Sequence, residues 1–183
     1  PNDHYAFLSV EKIESMLKDR GFGLANAEKS FPNTLIIKFE KTEPWLMTCK
    51  ASQECYYVDE SGVVSARAPA FSELPLPQVR LKDSASVKLS DNVISADDVL
   101  FLKKWFGNLK TIDIYPKEIE ILHNEEIKIL IKEGWFLYLV KNSDPQKLFY
   151  DLQLLLDQKI KDSRRKLEYI DLRFENKAFY KLR

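Results

Sequence analysis

Ile127-Lys128-Ile129-Leu130-Ile131-Lys132-Glu133-Gly134-Trp135-Phe136-Leu137-Tyr138-Leu139-Val140 reads as two short strands joined at Gly134. Ile127 to Lys132 and Trp135 to Val140 are apolar-rich stretches of strand length, and Gly134 turns the pair. Upstream, Thr111 to Tyr115 and Glu118 to Leu122 read as two further strands. Downstream, Asp144-Pro145 opens a helix with proline at its first position, and Leu148, Leu152, Leu155 and Ile160 form its apolar stripe. Glu168 to Phe174 and Ala178 to Leu182 then close the chain as a hairpin around Glu175-Asn176-Lys177. This pattern predicts an α+β fold: a mostly antiparallel β domain with helices on one face and strands running to the last residue.

The same reading extends towards the start of the chain. Ser95-Ala96-Asp97-Asp98 resembles a capping box and predicts a helix through Leu109, with Val99, Leu102 and Phe106 as its stripe. Tyr56 to Asp59 and Val63 to Ser65 form a tight hairpin, with Gly62 free to take positive φ. Pro69, Pro75 and Pro77 mark an extended crossing segment over 67–78, and Val79 to Leu81 and Val87 to Leu89 read as short strands. Thr34 to Thr42 alternates as a half-buried strand, with Leu35, Ile37 and Phe39 facing one way and Ile36, Lys38 and Glu40 the other. Leu24 to Ser30 is a weaker strand before it. Val10 to Arg20 has helical spacing, capped by Ser9 and stopped by Gly21.

Composition narrows the function classes. The chain has 183 residues, 45% apolar and 31% charged, with 28 basic and 28 acidic side chains. A zero net charge argues against a whole-surface grip on nucleic acid. The five glycines build no phosphate cradle, because Gly21-Phe22-Gly23 is followed by Asn26 where a dinucleotide turn needs a third glycine. No cofactor and no small-molecule substrate is expected. GxSxG and HExxH are absent. His123 lies in a polar turn and reads as solvated, and Asp97-Asp98 and Glu125-Glu126 sit where helix starts and turns favour acids. No stretch approaches the roughly 20 apolar residues of a membrane span.

Cys49 and Cys55 have five residues between them, and His4 and His123 lie far from both, so no metal site is expected. Two readings of the cysteines stay open, a pair of reduced thiols or a local disulfide in an oxidising compartment. The flanks favour proximity, because Trp45 to Thr48 and Tyr56 to Val58 read as adjoining strands. From Asp157 to Arg183 there are nine basic and five acidic residues, a local excess of four. That excess suits a solvated helix end, or a mildly basic patch for an acidic partner segment.

At the last hairpin the sequence becomes recognisable. Tyr169-Ile170-Asp171-Leu172-Arg173-Phe174-Glu175-Asn176-Lys177-Ala178-Phe179-Tyr180-Lys181 resembles the terminal strand pair of the bacterial division proteins FtsQ/DivIB. Other pieces follow in that family's order. The stretch from Ser30 to Pro44 resembles the end of a POTRA domain, and Tyr56 to Val64 resembles the hairpin that opens the β domain. Leu74-Pro75, the Gly134 strand turn and the Lys147 to Leu156 helix also match. The resemblance runs from about residue 10 to the end. It implies a partial POTRA-like domain (helix plus β-hairpin) over 1–44 and a β domain over 45–183. The family's POTRA opens with a strand and helix for which only Tyr5 to Leu8 is available here.

The resemblance further implies a non-enzymatic scaffold, held in the cell membrane by a single upstream helix, with this region extracytoplasmic and at the division septum. Its partners would be FtsB/FtsL-like division proteins. A cysteine pair is not part of the general family pattern, yet it suits an extracytoplasmic domain. A sheet ending on its last strand leaves unpaired N–H and C=O groups that accept a partner strand. Carried over, the expected partner-binding residues are Phe174, Asn176, Lys177, Phe179 and Tyr180, although Phe174 or Phe179 pointing into the core, or Asn176 serving as a turn former, would fit the alternation as well. Tyr169, Asp171 and Arg173 are expected to hold the hairpin. The alternatives are a POTRA-type docking module of a secretion or outer-membrane assembly system, or a hydrolase built around His123.

Overall fold

Among the described residues, three α-helices and eleven strands form, most of them where these patterns place them. The computed structural model describes residues 9–19, 25–39, 43–50, 52–68, 76–81, 87–122, 125–141, 143–175 and 177–183. Helix α1 (Val10–Asp19) and the antiparallel pair β1 (Ala25–Ser30) and β2 (Thr34–Phe39) make one small unit. The Ser9 hydroxyl accepts from the Lys12 amide at 3.2 Å, and Glu14 accepts from the Ala27 amide at 2.8 Å, so the helix is tied to the hairpin. The alternation expected in β2 is weaker than read, because Ile36 and Ile37 are both exposed.

The large sheet contains β3 (Pro44–Cys49), β4 (Cys55–Asp59), β5 (Val64–Ala68), β6 (Gln78–Arg80), β7 (Pro116–Ile121), β8 (Glu126–Ile131), β9 (Phe136–Val140), β10 (Leu167–Phe174) and β11 (Lys177–Leu182). Its spatial order is β11-β10-β9-β8-β7-β6-β3-β4-β5. Pairing is antiparallel except at β9–β10, β6–β7 and β3–β6. Helices α2 (Ala96–Lys110) and α3 (Pro145–Leu155) share one core with the inward row of the sheet, which includes Ile119, Ile127, Ile129, Leu137 and Ile170. Trp105 of α2 stands at the centre of this core, fully buried and edge-to-face with Phe149 at 6.4 Å. The molecule is therefore mixed α+β, with one large, mostly antiparallel sheet and a small hairpin sheet, and helices packed on part of the large one.

Both helix caps form as read. Ser95 Oγ accepts from the Asp98 amide at 3.2 Å, and Asp144 accepts from the Gln146 amide at 3.0 Å. Three readings need correction. Thr111 to Tyr115 is a turn, not a strand: Thr111 caps α2, and Asp113 takes φ +56°. Val87 to Leu89 is not a strand either; Val87 drops into the core and the chain turns at Leu89 and Ser90. The α2 stripe is Val99, Phe101, Leu102, Trp105 and Leu109, while Phe106 lies partly buried against Trp45 at 5.7 Å. The expectations for Tyr5 to Leu8, Gly21, Leu74-Pro75 and His123 lie outside the described residues.

Candidate interaction edge

Among the described residues β11 has one neighbour, β10, and forms one end of the sheet. The pair is antiparallel, with Ile170 opposite Tyr180 and Asp171 opposite Phe179. Between Asp171 and Phe174 the register shifts, a bulge that turns the hairpin tip relative to the rest of the ladder. Every residue of β11 except Ala178 is exposed. In such a strand alternate amides and carbonyls point away from the partner, so a row of backbone donors and acceptors faces outward along this side.

Neither aromatic reaches the core. Phe174 is 51% exposed and Phe179 47% exposed, and they pack edge-to-face at 5.2 Å across the hairpin. Tyr180 and Leu182 are exposed as well, and Lys177 stands exposed at the start of the strand. Asn176, also expected here, lies outside the described residues. Behind the aromatics, a cleft of about 410 Å³ between α3 and the hairpin is lined by Leu148, Asp151, Leu172, Arg173, Phe174 and Lys177 among others. Apolar surface, a cleft and an open backbone edge thus coincide on one side of the molecule.

Arg173 organises this side. Its guanidinium donates to Asp171 at 2.9 and 2.7 Å and to Glu126 on β8 at 2.6 Å. It also lies 5.0 Å above the Tyr138 ring and 6.0 Å from the Phe174 ring. Its hydrogen bonds to Asp171, partly opposed by burial and reinforced by Glu126, hold its pKa above the ordinary arginine value. Burial raises the Tyr138 phenol, and the Arg173 charge partly offsets that rise. Tyr169 meets Tyr138 edge-to-face at 6.0 Å, and Lys128 covers Phe136 at 4.5 Å. Cations thus occupy ring faces on this half-buried row of the sheet. Tyr169, Asp171 and Arg173, expected to hold the hairpin, instead tie β10 to β9 and β8; the links to Glu126 and Tyr138 carry no sequence signal, because they span three strands.

The opposite end of the sheet is treated differently. The Val64 amide donates to Asp91 O at 2.9 Å, and Val64 O accepts from Ser90 at 2.8 Å, so the segment after Val87 caps the outer side of β5 at its first residue. Gly62 O accepts from Val93 and Ile94, which fastens the same segment to the β4–β5 turn.

The other sequence candidates are absorbed into structure. Asp98 takes the Lys141 ammonium at 2.5 Å and the Ser95 hydroxyl at 2.7 Å. Cys49 and Cys55 face each other at the end of the β3–β4 ladder and are joined by a disulfide, with Cα atoms 4.0 Å apart. Among the described residues no group of His, Cys, Asp and Glu converges as a metal site, and no helix is long and apolar enough to cross a membrane. No protein-family profile matches the chain, and no curated protein matches it.

Proposed function

We propose that this chain is the extracytoplasmic part of a bacterial division scaffold of the FtsQ/DivIB type, and that it binds an FtsB/FtsL-like partner by strand addition at β11. The reading is non-enzymatic: the surface offers a backbone edge and apolar side chains to another polypeptide. One observation carries it, namely that among the described residues the sheet's terminal strand has a single neighbour while Phe174, Phe179 and Tyr180 stand exposed beside it. Main-chain pairing supplies affinity in such a mode, and alternate side chains supply specificity. The Cys49–Cys55 disulfide fits an oxidising compartment, which agrees with an extracytoplasmic, membrane-tethered placement at the septum.

The test is co-purification with an FtsB-type coiled-coil protein, together with septal localisation of the full-length protein. The Phe174→Ala/Phe179→Ala pair and the Lys177→Glu charge reversal should each weaken the complex about tenfold or more while leaving the thermal melt nearly unchanged. Undiminished binding by both variants would remove β11 from the interface. Tandem POTRA repeats or a β-barrel in the full-length protein, with no such partner, would favour the outer-membrane docking module instead.

A further inference from the structure

The far end of the edge strand gathers exposed cations. At its far end the Arg183 amide donates to Lys166 O at 2.7 Å, and the Arg183 guanidinium donates to Gly134 O. The last residue, the 3-10 turn Lys161–Lys166 and the β8–β9 turn therefore meet at one corner. Arg164 in that turn takes Glu133 at 2.5 Å and anchors to Ile112 O and Asp113 O, and Glu168 takes Lys181 at 2.8 Å. Those pairings use up two of the local carboxylates. Lys132, Lys161, Arg165, Lys166 and Arg183 are exposed and enter no ion pair among the described residues. Asp113 and Asp162 are the exposed acids left beside them.

We propose that this corner is a clasp for an acidic peptide stretch that continues from the strand added to β11. The proposal rests on the strand-addition reading above and adds the partner's charge pattern and the end of the edge at which it sits. Single exposed ion pairs contribute little, but several unpaired cations around one turn steer and orient an incoming acidic segment. The corner follows directly on from β11, so a strand laid along that edge runs into it. Exposed cations grouped around a turn suit peptide carboxylates spaced along a chain.

The probe is a fluorescent polyglutamate peptide titrated against the whole chain at low salt, then near 0.1 M salt, where the Debye length falls to about 10 Å. Binding should weaken steeply with salt. The Arg165→Glu/Lys166→Glu double reversal, and separately Lys132→Glu on another element, should each weaken it about fivefold or more. Lys12→Glu, the reversal of an exposed cation on α1, should leave it unchanged. Equal binding by the wild type and all charge reversals, or binding to phosphatidylglycerol vesicles with none to polyglutamate, overturns the clasp. Loss of FtsB-type co-purification with polyglutamate binding intact would sink the edge reading and spare the corner; the reverse would spare the edge.

Discussion

Gly62 sits at φ +82°, and a Cβ there would collide with the backbone carbonyl of Ile94. Both the conformation and the contact exclude a side chain. Gly62→Ala should lower stability by about 2 kcal/mol or more, read as a shift in the urea midpoint. A near-neutral result would mean the plugging segment is held differently. Arg173 makes the opposite case, a side chain that is costly to remove. Arg173→Ala leaves buried Asp171 without its bidentate donor and should cost about 2 kcal/mol, moderated because the guanidinium is partly solvated. Because its pKa is raised, its stabilising charge is fully present below the ordinary arginine value and is lost only as pH climbs past the raised one. The stability difference between wild type and variant should therefore hold steady from neutral pH to about pH 9, measured by chemical denaturation. Gly62 was legible in the sequence as a turn glycine; the reach of Arg173 to Glu126 was not, since no spacing rule connects β8 to β10 through a parallel neighbour.

The β3–β4 ribbon is closed by Cys49 and Cys55, and its loop is also held by the Lys50 amide on Glu54 O at 2.8 Å. Replacing both cysteines with serine should cost about 2 kcal/mol from the freed loop entropy of the unfolded chain. The same loss should appear on reduction of the wild type, with circular dichroism showing the fold retained. Elements of this kind were readable where strong alternation met clear turn chemistry, as at Gly134 and at Asp144-Pro145. They were not readable where a tertiary demand overrode the pattern. Thr111 to Tyr115 has strand-like composition, yet the cap of α2 and a left-handed Asp113 take precedence. Phe106 was assigned to the core by helical spacing, whereas Trp105 one position earlier fills it. The bulge before Phe174 likewise breaks the parity that would have told which face each hairpin aromatic takes.

For the whole molecule, the two sides of the large sheet should differ in hydrogen exchange. The Val64 amide, bonded to Asp91 O, should be well protected, whereas outward amides of β11 should exchange quickly until a partner is added. Slow exchange along all of β11 in the free protein would mean its edge is already occupied. The sequence conveyed the α+β class and a chain ending on a strand, but not the spatial order of the strands, because three parallel pairings join segments far apart in the chain.

The segment that plugs Val64 has a further effect. A ribbon open at both margins can stack copy upon copy without limit, and long fibres result. Here one margin is stoppered by the chain itself at Val64. At Val64, therefore, the far margin cannot add a further strand in the way the proposed mode at β11 requires, so this end of the ribbon is closed to growth at its first residue.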